Sequence, residues 1–204
     1  MKKTVLFITG LTACFRLLGQ GTIAIANDDN QPVLYIPPGL NSPTELAPTN
    51  AGVYVQVFYQ PKVNNTTPVA EPGSLGAEGW EVLTAPIPMT FPGLFFGSTA
   101  TTGTDVAAGS SVWLFVDGWG GNFSSMDQAI LAGAPFGTSR VWANPTGGAG
   151  NPPDAPASMV DGSAGFVTFY IVQPIPEPGT VTLFTLGGAL LLLLNRRHRR
   201  PGMS

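Results

Sequence analysis

The sequence predicts an all-β protein: an antiparallel β-sandwich with one short helix and long Gly/Pro loops, followed by a C-terminal transmembrane helix. Three observations carry this. Apolar and polar residues alternate with period two in segment after segment between residues 21 and 173, the pattern of half-buried strands. The 26 glycines and 20 prolines are too many for a helical bundle. Near the end, sixteen residues from Gly179 to Leu194 carry no charge and run directly into arginines.

Taken in chain order, residues 1–26 read as an export leader. Lys2 and Lys3 form a positive start, and Thr4 to Phe15 form a short apolar run closed by Arg16. Twelve residues are too few to cross a hydrocarbon core of about 30 Å as a helix. Two cleavage points fit, after Gln20 or after Ala26, where Ala24-Ile25-Ala26 has small residues in the required places. Gly21 to Ala26 also reads as a strand, so both points stay open. Leu11-Thr12-Ala13-Cys14 resembles a lipobox, but the apolar run before it is short and Arg16-Leu17-Leu18 follows instead of a polar linker. The simpler reading makes Cys14 a small apolar member of the leader.

The β domain spans residues 21–173. Val53 to Tyr59 is its clearest strand, rich in β-branched and aromatic residues. Val112 to Val116 reads as a central strand buried on both faces, and Gly165 to Val172 as the closing strand. Weaker strands are expected at Thr22–Ala26, Val33–Ile36, Trp80–Leu83, Thr104–Ala107 and Ser139–Trp142. Eight strands divided by Gly/Pro-rich turns point to a sandwich. Ser125-Met126-Asp127-Gln128 is a capping box opening a helix of barely two turns, closed by Gly133. Residues 61–79 and 144–162 are expected to be long, poorly ordered loops.

Charge is sparse, 10 % of residues against about 25 % in ordinary globular chains. It is also segregated. The whole chain carries −3, yet between residues 21 and 178 only Lys62 and Arg140 stand against all twelve carboxylates, a net charge of −10. Such a surface disfavours nucleic acid, whose phosphates need Lys and Arg. The single histidine, His198, and the single cysteine, Cys14, lie in the terminal segments. The domain between them therefore has no Ser-His-Asp triad, no Cys-His pair, no His- or Cys-ligated zinc and no disulfide. No cofactor is called for.

The segment 174–204 has three parts in order. Pro176-Glu177-Pro178 comes first, then the apolar run 179–194, then Arg196, Arg197, Arg199 and Arg200 around His198. Sixteen residues rise roughly 24 Å as a helix, a little short of the bilayer core. Snorkelling arginines and local thinning accommodate the difference. The basic end belongs on the cytoplasmic side, as do Lys2 and Lys3, which places the domain outside the inner membrane.

This tail resembles the PEP-CTERM sorting signal over about residues 175–200. The resemblance implies that an exosortase, a membrane transpeptidase-like enzyme, reads Pro176, Glu177 and Pro178, with Arg196, Arg197, Arg199 and Arg200 as the cytoplasmic stop. Gly179 stands where the family more often has Ser. The body is similar to one group of such proteins: Gly21-Thr-Ile-Ala-Ile-Ala-Asn27, then Val116-Asp117-Gly118-Trp119-Gly120-Gly121, a short helix, and Gly137-Thr138-Ser139. The resemblance implies a sandwich, delivery to the cell surface or extracellular matrix, and no activity.

For chemistry inside the domain, paired carboxylates are the remaining catalytic device. Glu78 and Glu81 flank Trp80, but residues three apart on a loop-to-strand segment point differently, and solvated loop carboxylates are the preferred reading. Asp28, Asp29, Asp117 and Asn122 are oxygen donors that would suit calcium, although none follows an EF-hand spacing and Asp/Asn beside Gly are common turn formers. Trp119, between Gly118 and Gly120, is the tryptophan expected to be exposed on a loop, where it could contact a glycan such as exopolysaccharide. The expectation is a non-enzymatic surface or matrix component, with glycan binding as the alternative. Its partners would be the exosortase and the membrane.

Overall fold

The computed structural model describes residues 19–37, 43–49, 52–70, 79–160 and 165–174. Residues 1–18 of the expected leader, Glu78, the Pro176-Glu177-Pro178 motif, the apolar run 179–194 and the arginine cluster lie outside the described residues. Among those described, no helix is long and apolar enough to cross a membrane.

Among the described residues twelve strands and one helix follow in order. They are β1 (Thr22–Ala26), β2 (Val33–Ile36), β3 (Glu45–Leu46), β4 (Tyr54–Pro61), β5 (Glu81–Val82), β6 (Ile87–Phe91), β7 (Leu94–Thr101), β8 (Ser111–Trp119), α1 (Met126–Leu131), β9 (Phe136–Thr138), β10 (Trp142–Pro145), β11 (Ala157–Ser158) and β12 (Phe169–Val172). The all-β class and the single short helix are as the sequence predicts. The layering differs. The strands form one hydrogen-bonded path, β11-β1-β7-β6-β4-β8-β9-β12-β2-β3, curled into a half-barrel. Two of its pairings, β1 with β11 and β12 with β2, are parallel. A purely antiparallel sandwich is therefore replaced by one mixed sheet whose concave face holds the core.

β4 and β8 are the spine, paired antiparallel over eight positions from Tyr54↔Trp119 to Pro61↔Val112. Their alternation sorts side chains to two faces. Val55, Val57, Leu114 and Val116 point into the main core, where they meet Ile23, Ile25, Val33, Phe95 and Ile171. Phe166 fills its centre, with ring centroids 5.8 Å from Phe95, 5.7 Å from Trp142 and 6.0 Å from Phe169, all near edge-to-face. On the convex face Phe58, Trp80, Trp113 and Phe115 form a second cluster, and Trp119, Met126 and Ala129 a third beneath α1. The expectation of a central strand buried on both sides thus holds for β8.

Helix α1 starts where its capping box predicts. Gln128 N–H donates to Ser125 Oγ at 3.4 Å, while the Gln128 side chain accepts from Ser124 N–H rather than from the cap residue itself. Gly133, at φ +68°, ends it.

Other expectations need correction. Thr104–Ala107 is a turn, with Val106 N–H donating to Gly103 O at 3.2 Å. Ser139–Trp142 is the link between β9, which ends at Thr138, and β10, which starts at Trp142; Ser139 Oγ accepts from Val116 N–H at 2.8 Å and breaks the ladder there. The hairpin β6–β7 lies in a stretch not read as strand: Pro88, Pro92, Gly93 and Gly97 mask its alternation. Residues 144–162 are not a plain loop either. They contain the end of β10 and all of β11, and Gly147 exchanges backbone hydrogen bonds with Thr22.

Candidate functional site

Several motif residues serve the fold. Asn27 is buried, and its amide donates to Gln31 O and Gly93 O while accepting from Phe95 N–H, at 2.8–2.9 Å. It ties the end of β1 to the β6–β7 turn. Gly21 is small because Thr146 lies against it: a Cβ there would sit 2.6 Å from Thr146 Cβ. Thr138 Oγ1 donates to Asp117 at 2.6 Å, and Ser139 closes onto Val116, so the Gly137-Thr138-Ser139 segment fastens β9 to β8.

The residues expected to bind ligands fare as follows. Trp119 is fully buried at the end of β8, stacked at 6.2 Å on Tyr54 and donating its indole N–H to Phe123 O. Its flanking glycines do not expose it. Gly118 leaves room for Phe169 and Ile171, and Gly120 faces Pro135. Asp117 is buried in mid-sheet opposite Gln56. Asp28 accepts from Asn30 N–H in a local turn after β1, and Asn122 is exposed beyond β8 beside Gly52. Asp28 and the exposed Asp29 share that turn, apart from Asp117 within β8 and Asn122 beyond it, and among the described residues no group of three or more His, Cys, Asp or Glu is placed to hold a metal.

Glu81 is engaged by a residue the sequence did not single out. Tyr59, buried on β4, donates its phenolic O–H to Glu81 Oε2 and accepts from Gly103 N–H at 2.8 Å. Burial, then the hydrogen bond to Glu81, pushes its ionisation from 10.0 up to about 12. This arrangement fastens β5 and the 102–105 turn to β4. Glu78, its expected partner in acid-base work, lies outside the described residues.

The convex face offers a different kind of site. A cleft of about 370 Å³ opens beside β4 and β8, lined by Gln60, Asn64, Thr66, Trp113 and the prolines 61 and 68. The segment after β4 builds it: Asn64 Oδ1 accepts from Thr66 N–H at 2.9 Å, and Lys62 places its ammonium 5.0 Å from the Trp113 ring centroid. Farther along, Trp80 donates to Val69 O at 3.0 Å and pins the same segment over the aromatic cluster. The lining residues carry no charge, part amide and hydroxyl and part apolar with Val63 among them, and the Lys62 ammonium stands beside them against the Trp113 ring. Such a surface can hydrogen-bond and pack against a small uncharged polar molecule. Sequence reading passed over it because Trp113 alternates as a core residue, which for most of its surface it is.

No family model matches the chain, and no curated protein or solved structure matches it either.

Proposed function

We propose that the protein is an exported β domain delivered to the cell surface or extracellular matrix through a PEP-CTERM signal, where it has a structural or interaction role. The observation that carries this reading is the ordered tail: Pro176-Glu177-Pro178, an uncharged run of sixteen residues, and four arginines within the last nine residues. Its position supports the reading, because β12 ends at Val172 and the motif begins four residues later. A membrane-bound exosortase would thus meet the motif just outside the folded domain. Glu177→Ala should abolish processing of a tagged protein in an exosortase-positive host and leave it in the membrane fraction. Unchanged processing and localisation would remove the reading.

Glycan binding is the second reading, and the cleft beside Trp113 supports it where Trp119 does not. Sugar hydroxyls match the Gln60, Asn64 and Thr66 side chains, and a sugar C–H face matches the ring and prolines. Neutral polymers are favoured over polyanions by the net charge of −10 between residues 21 and 178. The double variant Asn64→Ala/Thr66→Ala, both exposed residues, should weaken neutral oligosaccharide binding about tenfold in calorimetry.

A further inference from the structure

The convex side of the last three strands in the sheet path is apolar where solvent would favour polar residues. Tyr170 and Val172 on β12 lie beside Leu34 and Ile36 on β2, and Leu34 lies beside Leu46 on β3. Alternation turns all five away from the core, since Phe169, Ile171 and Val33 between them are the buried ones. Tyr170 is 49 % exposed, Leu46 47 % and Val172 42 %. An antiparallel or mixed sheet with one solvated face normally presents polar residues there, so this apolar face stands out as a contact surface.

We infer that this face rests on the lipid surface of the membrane that the chain enters through its C-terminal apolar segment. The inference depends on reading residues 179–194 as an anchor. Six residues separate Val172 from Gly179, a reach of at most roughly 25 Å. The strand end is therefore held next to the bilayer whenever the tail is inserted. Tyr170 supplies an amphipathic ring of the kind that sits at headgroup level. A second copy fits less well. The five side chains expose on the order of 300 Å², whereas a stable dimer buries about 800 Å² on each partner.

The test uses the full-length chain in phosphatidylcholine vesicles, with Cys14→Ser removing the only native thiol. An environment-sensitive fluorophore is attached through Tyr170→Cys or, separately, Val172→Cys. Val63→Cys and Val69→Cys, both in the segment after β4, at 89 % and 63 % exposure, serve as remote controls. On transfer from detergent to vesicles, the labels at 170 and 172 should shift to the blue and lose iodide quenching severalfold, with the controls unchanged. Flotation with the vesicles without any change at 170 and 172 overturns this inference and leaves the anchor intact. Failure to float overturns both. Protection that grows with the protein-to-lipid ratio assigns the face to a second copy and also overturns it.

Discussion

Tyr59 shows how one side chain can couple distant parts of this sheet. Its hydroxyl joins β4 to Glu81 on β5 and to the Gly103 amide. Because the phenol ionises near 12 in the folded chain rather than at 10.0, the folded state holds the proton more tightly. Stability from this group is complete below pH 10 and declines as pH rises toward 12. Tyr59→Phe should remove that alkaline slope in denaturant titrations and cost about 1–2 kcal/mol at neutral pH, through the partners left behind. A variant with an unchanged alkaline slope would show that the hydrogen-bonded arrangement is not what holds the proton. Asn27 acts in a similar way without a charge. Its three hydrogen bonds lie where β1 leaves the sheet, so the motif residue is explained by backbone groups that need partners inside the protein.

At the scale of elements, close approach of backbones decides where strands can pair. A Cβ on Gly137 would lie 1.8 Å from Tyr170 O, so β9 accepts β12 only with glycine there. Gly137→Ala should destabilise the domain by about 3 kcal/mol or more. Gly133→Ala, with open space but φ +68°, should cost only about 1 kcal/mol. Equal effects in the two variants would contradict this account of β12. The same elements show what the chain reveals unaided. β4, β8 and α1 were legible because alternation and a capping box are local signals. The β6–β7 hairpin was not, since Pro88 and Pro92 look like breakers until β6 is seen to pair with β4 only at Tyr54 and Val55. Parallel pairing of β2 with β12 joins residues more than 130 positions apart, and no local pattern encodes it. The candidate site divides along the same line. The proposed sorting motif is linear and readable, whereas the Trp113 cleft arises from a loop folding back over a strand. Trp119 was misplaced because glycine neighbours that admit Phe169 and Pro135 look, in sequence alone, like a flexible loop.

At the scale of the whole molecule, the charge distribution is what supports the proposed delivery. Basic residues mark the two ends, and an acidic domain without cysteine lies between them. If residues 1–26 act as the proposed leader, β1 bears on where cleavage would fall. β1 places Ile23 and Ile25 fully inside the core and lies between β7 and β11. Cleavage after Ala26 would remove that strand and expose the apolar surface it covers, at a cost of several kcal/mol, on the order of 2 for each buried side chain. Cleavage after Gln20 leaves it whole. Intact-mass analysis of the protein recovered from its native cell tests both ends at once. The account predicts a chain that begins at Gly21 and ends near the Pro176-Glu177-Pro178 motif. A mass that retains residues 179–204 in the surface or matrix fraction would contradict sorting through the tail, and one beginning at Asn27 would contradict the role given to β1.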